Sequence, residues 1–231
     1  MSVAAPSNFQ ALWATPLGVH HLAQPNDINE VLVRVFKTMR LADGQPGAAF
    51  HASRDDLLRR INISEWQQLV QFIVGGIRDT VVQANSGHWP QAAPAFQIAL
   101  NGIWFQISNS GVHHDIHTHG NCSWSGVYCL QVDAPEQRHA HPVLGALNGV
   151  TRFYGPHFQH LGGAHADFGN AYLLSPHIDI EPVPGQLVVF PSWLAHQAMP
   201  YQGEQDRVIV SFNASVHSAD GNNQLQGYAR T

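Results

Sequence analysis

The sequence predicts a mainly β domain with N-terminal helices, an α+β fold in which a sheet sandwich or barrel is buttressed by helical segments. Three observations predict it. Apolar stripes at helical spacing are confined to the part before residue 90, and short runs of Phe, Ile, Val, Trp and Tyr broken by Gly, Pro, Asn and Asp fill the part after it. The order is helices first and strands second, which argues against alternating βαβ units. At 231 residues the chain is also within the range that barrels and sandwiches reach as one unit. A single domain over 1–231 is therefore expected, with helical support over 1–90, the β core over 91–217 and a tail over 218–231.

In chain order, Leu12 to Leu22 reads as a short strand broken by Pro16, followed by a helix from about Asp27 to Arg40 with Ile28, Val31, Leu32 and Val35 on one face. Ser53 with Asp56, and Ser64 with Gln67, have the spacing of capping boxes and mark two further helix starts. From Trp66 the series Leu69, Val70, Ile73, Val74, Ile77 and Val81 keeps a helical stripe until Gly87 stops it, a pattern of core packing that implies no cofactor. After Pro90, strands are expected near Phe96 to Ile107, Trp124 to Val132, Val150 to Tyr154, Ala171 to Leu174, Gln186 to Phe190 and Arg207 to Val216. The Gly- and His-rich stretch from Pro135 to Asn170 is too long for a mere connector and reads as a lid or binding wall.

Composition narrows the function classes. Charged residues are 12% of the chain, about half the usual fraction, which suggests that part of the surface is covered in a homo-oligomer. A formal charge of −5 with only 11 Lys plus Arg and no basic run leaves no footprint for nucleic acid or an anionic membrane, so neither partner is expected. The start MSVAAPSNFQALW lacks a signal peptide's basic and long apolar regions, and no segment approaches the roughly 18 apolar residues of a membrane span, so a cytoplasmic location is expected. Cys122 and Cys129 lie close together and read as reduced thiols rather than a disulfide framework.

Histidine is the anomaly: 16 of them, more than all Lys and Arg together. The densest group is His113-His114-Asp115-Ile116-His117-Thr118-His119, just before the strand that opens at Trp124. In extended chain, residues i and i+2 point to one side, so His117 and His119 can present two imidazoles to one ion. Two ligands hold a transition metal poorly. The best third candidate ends the run Pro184 to His196, a turn, an apolar strand and a proline-led corner that deliver His196. Three ligands on one face leave positions open, as non-haem iron sites require.

Eleven residues further on, Arg207 opens Arg207-Val208-Ile209-Val210-Ser211-Phe212-Asn213, and alternation puts Arg207, Ile209, Ser211 and Asn213 on one face. An Arg heading an apolar strand is expensive to bury unless it meets an anion. Its fork suits a carboxylate held at two points, and Ser211 could add a hydroxyl.

With H-T-H and S-G-V-Y at His117 to His119 and Ser125 to Tyr128, P-G-Q-L-V-V-F-P-S-W-L-A-H at Pro184 to His196, and R-V-I-V-S-F-N at Arg207 to Asn213, the chain resembles the 2-oxoglutarate and iron(II)-dependent oxygenases, particularly a poorly characterised bacterial and phage subfamily. The resemblance implies a double-stranded β-helix (jelly-roll) core. It implies His117, His119 and His196 as Fe(II) ligands, with Arg207, aided by Ser211, gripping the distal carboxylate of 2-oxoglutarate. The implied activity is dioxygen-dependent hydroxylation of a small-molecule or peptide substrate with release of succinate and CO2. In the larger superfamily an Asp or Glu stands where this chain has His119. A second frame, His113-x-Asp115, would restore the carboxylate but lies further from the anchoring strand. Two other readings remain: a cupin-like three-histidine metalloenzyme without 2-oxoglutarate, and a non-catalytic barrel that binds a metal or small molecule. The cupin pattern puts a glutamate a few residues after H-x-H, where this chain has Asn121 to Trp124.

Overall fold

A computed structural model describes residues 14–89, 95–156, 175–219 and 221. The expected strand Ala171 to Leu174, the end of the Pro135 to Asn170 stretch and most of the 218–231 tail lie outside the described residues.

The N-terminal region builds a helical layer. In α1 (Asn26–Ala42) the buried face is Ile28, Asn29, Leu32, Val33 and Phe36, while Val31 and Val35 are only half-buried. The stripe is rotated from the expected one because Asn29 docks on the sheet: its Nδ2 donates to the Leu130 carbonyl at 3.0 Å and its Oδ1 accepts from the Tyr128 hydroxyl at 2.8 Å. After the single turn α2 (Leu57–Arg60), α3 (Ser64–Ala84) buries Trp66, Leu69, Ile73, Ile77 and Val81, and ends three residues before Gly87. Neither capping box forms. The Ser53 hydroxyl accepts from the Phe105 N–H at 3.1 Å, and the Ser64 hydroxyl donates to Glu65 at 2.9 Å. Tertiary and neighbouring partners have taken the two hydroxyls that local spacing assigned to helix starts.

The strands are β1 (Gly18–His21), β2 (Phe50–Ala52), β3 (Phe96–Ser108), β4 (Val112–His117), β5 (Trp124–Gln131), β6 (Thr151–Tyr154), β7 (His177–Ile180), β8 (Gln186–Pro191), β9 (His196–Tyr201) and β10 (Arg207–Ser218). They form two antiparallel sheets, β1-β8-β5-β10-β3-β2 and β4-β9-β6-β7. The mainly β, jelly-roll expectation holds. The helical support region does more than buttress, because β1 and β2 form the two edges of the larger sheet. Between Pro135 and Asn148 lie a short helix α4 (Pro135–His139) and a 3-10 turn at Gly145–Leu147.

The main core sits between the helices and the outer face of the six-stranded sheet. Alternation along β3 sends Ile103, Phe105 and Ile107 there, where Phe105 stacks on Phe36 with ring centres 4.4 Å apart. The space between the sheets has a smaller apolar cluster, Phe153, Val188, Phe190 and Leu194, and polar groups occupy much of the rest. Among the described residues, no helix is long and apolar enough to cross a membrane.

Candidate metal centre

His117 closes β4 and His196 opens β9, and the antiparallel register sets the two opposite each other. His119 lies just past the strand end, where its backbone N–H donates to the Ser192 carbonyl at 2.9 Å. Ser192 belongs to the corner between β8 and β9, so one turn positions both His119 and His196. That corner is braced from behind. The Ser192 hydroxyl is 2.9 Å from the buried Ser125 hydroxyl and 3.0 Å from the Cys122 thiol, and Ser125 donates to Asn213 Oδ1 at 2.8 Å.

One ring nitrogen from each of His117, His119 and His196 lies within 4.8 Å of the others. His119 Nε2 and His196 Nε2 are 3.2 Å apart, close to the ~3 Å edge between neighbouring ligands that each sit ~2.1 Å from an ion. The His196 Nδ1 donates to the Leu194 carbonyl at 2.9 Å and the His117 Nδ1 to the Asp115 carbonyl at 2.7 Å, leaving both Nε2 lone pairs for a metal. Burial, with neighbouring imidazoles adding to it, lowers His196 to about 4 and His119 below its ordinary value. Neutral imidazole, the metal-binding form, is thus present at neutral pH at both. The donor set fits a divalent transition ion with positions left open. Asp115 is 96% exposed and 3.6 Å from His113, so the second frame stands outside this group.

Arg207 opens β10 and is 6% exposed. Its Nε is buried without a hydrogen-bond partner, and among the described residues no carboxylate pairs with it. Burial pulls its affinity for the proton down, opposed by Cys129 and Tyr201. A guanidinium left this way fits an anion arriving from the pocket. The preceding loop is held firmly. Asp133 accepts the backbone N–H groups of Glu204 and Gln205 at 2.6 and 3.0 Å, and the Tyr201 hydroxyl donates to the Gln205 carbonyl at 2.8 Å.

Arg207, Ile209 and Ser211 line one pocket with the three histidines, as alternation requires. Ser211 stands four residues along β10, roughly 13 Å from Arg207 between Cα atoms. It pairs with Trp104, whose ring is 6.4 Å from that of His119, so Ser211 belongs to the histidine end of the pocket. Trp104, Gln106, His114 and Thr151 are among the further wall residues that the sequence reading did not assign to the site. The first two were within reach, since β3 alternates Trp104 and Gln106 against the apolar Ile103, Phe105 and Ile107. Thr151 shares its face with the buried Phe153 two residues on, a weak signal, while His114 on the polar strand β4 carries none.

Residues 102–213 match the family model of the 2OG-Fe(II) oxygenases. A search of curated proteins found no match. Among solved structures, a Pseudomonas putida prolyl-4-hydroxylase aligns over 87% of this chain and 93% of its own, with 15% identity and a TM-score of 0.51. HygX from Streptomyces hygroscopicus, solved with nickel and 2-oxoglutarate, aligns over 87% and 82% at 12% identity and a TM-score of 0.55. The α-ketoglutarate-dependent epimerase SnoN of nogalamycin biosynthesis aligns over 87% and 78% at 14% identity and a TM-score of 0.50. At such identities the likeness is one of fold.

Proposed function

We infer that this chain, whose residues 102–213 match the 2OG-Fe(II) oxygenase family model, is a 2-oxoglutarate-dependent dioxygenase that uses Fe(II). In this reading His117, His119 and His196 hold the iron through their Nε2 atoms, and Arg207 holds the distal carboxylate of 2-oxoglutarate. Ser211 offers a hydroxyl along the same wall. The observation that carries the reading is one pocket with a three-histidine cluster at one end and a buried, unpaired Arg207 at the other. Iron and 2-oxoglutarate, when bound, supply the oxidising chemistry with dioxygen, ending in succinate, CO2 and, in the proposed reaction, a hydroxylated small molecule or peptide. The chain orients the ligands through the Leu194 and Asp115 carbonyls, fixes the His119 loop through Ser192, and aims Arg207 through the Asp133-braced loop.

A three-histidine metalloenzyme without a cosubstrate accounts for the ligands equally well. It leaves Arg207 buried with nothing to face, at a desolvation cost that only an anion repays. Anaerobic titration of the iron(II) protein with 2-oxoglutarate separates the two: the oxygenase gives the weak visible charge-transfer band of the chelate, the rival binds iron and gives none. Arg207→Ala should weaken 2-oxoglutarate roughly 30-fold to several thousand-fold, equivalent to about 2–5 kcal/mol, with iron affinity nearly unchanged. Arg207→Lys should restore part, keeping the charge without the fork. Unaltered 2-oxoglutarate affinity in a folded Arg207→Ala protein sinks the cosubstrate assignment.

A further inference from the structure

Two spaces adjoin at the β2 edge of the larger sheet. The pocket of the three histidines and Arg207 offers about 60 Å³ to water, room for a handful of molecules at roughly 10–15 Å³ each. 2-Oxoglutarate uses that room up, so a substrate can bring no more than a small group beside it and must rest its bulk outside. Next to the pocket runs a groove of about 750 Å³, lined by Asp43, Phe50, Ala52, Arg54, Asp56 and Arg60. Phe50 is part of the wall between the two. Its ring meets that of His114, which lines the pocket, edge-on with centres 5.4 Å apart.

The groove runs along a bare sheet edge. The Asn109 N–H donates to the Ala49 carbonyl at 2.9 Å, the Ser53 N–H to the Phe105 carbonyl at 3.0 Å and the Ile103 N–H to the Asp55 carbonyl at 3.0 Å, so residues 49–55 keep one antiparallel register against β3. By alternation the N–H and C=O groups of Phe50 and Ala52 point away from β3, and none of them has a partner among the described residues. Such an edge accepts another strand. The register sets Ala52 beside Gln106 and Arg54 beside Trp104, whose ring is 6.4 Å from that of His119, so a strand laid here passes the metal site. Also facing the groove, His51 is 7% exposed, and its Nε2, 3.4 Å from Asp43, makes no hydrogen bond. Arg54 has no carboxylate partner among the described residues. Pairing with a second copy centred on His51 would set Ala48 opposite Arg54 and supply no acid.

We propose that the substrate is a polypeptide: an extended segment adds to the larger sheet along residues 50–54, brings an acidic residue to Arg54 and turns one side chain towards the metal. The inference rests on the oxygenase reading, which supplies the metal and 2-oxoglutarate. In the free chain the Phe50 and Ala52 amides should exchange rapidly with solvent, read by NMR. Slow exchange would mean that a segment of this chain or a second copy already pairs there, and overturns the proposal. Randomised heptapeptides displayed on phage would be selected, with oxygen excluded, on the full chain loaded with cobalt(II) and 2-oxoglutarate, and the most enriched peptide synthesised. It should slow the exchange of both amides. Its resonances should broaden on the paramagnetic cobalt(II) protein and not on the zinc(II) protein, which sets it beside the metal. Ala52→Pro removes an N–H that bonds nothing within the fold, so it should load cobalt and 2-oxoglutarate as the parent does and bind the peptide at least roughly tenfold more weakly. Methylating the peptide's own strand-facing amides should do the same with the protein unchanged. Arg54→Glu should select lysine in place of the acid. No enrichment, a peptide indifferent to both Ala52→Pro and methylation, or equal line widths with the two metals overturns the proposal and leaves the oxygenase reading intact. Failure of 2-oxoglutarate to load overturns both.

Discussion

At His117 and His196 a backbone carbonyl decides which ring nitrogen is free. Each Nδ1 is committed to a carbonyl within 3 Å, so Nε2 is the only atom left for an ion, and the rings cannot swing away without giving up that bond. Replacing either residue by Ala leaves two protein ligands and should remove most metal binding, read as metal content per chain after dialysis. Asp115→Ala should keep the metal, because the Asp115 carboxylate is in solvent and its carbonyl, which the substitution retains, is what orients His117. Stoichiometric metal in both histidine variants, or loss of metal in Asp115→Ala, would refute this ligand set. The lone His119 substitution for an acid was visible in the sequence; that a corner 70 residues later holds its backbone in place was not.

Among the elements, strands that carry apolar residues in a run or in alternation were legible, the four-residue β6 among them, and β2, β4, β7 and β9 were not. β10 reads directly from its apolar run, and its inner face was assigned correctly as far as Ser211. β9, His-Gln-Ala-Met-Pro-Tyr, has a proline and no apolar alternation, and is a strand because β4 and β6 flank it. β1 falls within the strand expected over Leu12 to Leu22, whereas β2 is too short to announce itself and takes its geometry from β3. A second hidden feature is the brace under the Arg207 loop. Arg138, 1% exposed, donates to the carbonyls of Asp133 and Asn148 at 3.2 and 2.8 Å and reaches Glu181 at 3.2 Å. It ties α4, the 3-10 turn and the approach to β7 and β8 together. Arg138→Ala should cost about 3 kcal/mol, by leaving the two buried carbonyls of Asp133 and Asn148 without this donor, measured as a lower urea midpoint. Because the brace also holds Asp133, 2-oxoglutarate affinity should fall more than metal affinity; an unchanged midpoint would mean the network is dispensable.

The whole molecule keeps its largest apolar core outside the sandwich, against the helices, and so leaves the inner space for titratable groups that a folded interior otherwise avoids. Stability must then depend on pH. His196, with its proton affinity depressed by burial to a pKa of about 4, stays neutral in the folded chain while the unfolded chain protonates it near 6.5. Burial lowers His119 and His114 in the same direction. A depressed folded pKa means that the unfolded state binds more protons through the interval, so the stability is complete above about pH 6.5 and is lost as pH falls towards about 4. From His196 alone the loss is about 3 kcal/mol at the lower end. Asp179, held below its ordinary value by Arg152, and Glu65, held down by its backbone and Ser64, begin to matter only at the bottom of this range. Urea unfolding of the metal-free protein at pH 7.5, 5.5 and 4.5 should show the decline, and His196→Leu should flatten it by removing the group that titrates. A metal ion on Nε2 competes with the same proton, so saturating metal should shift the whole decline to lower pH. A flat stability profile for the metal-free protein between pH 7.5 and 4.5, or an identical slope in His196→Leu, would show that the buried imidazole is not what couples this fold to the proton.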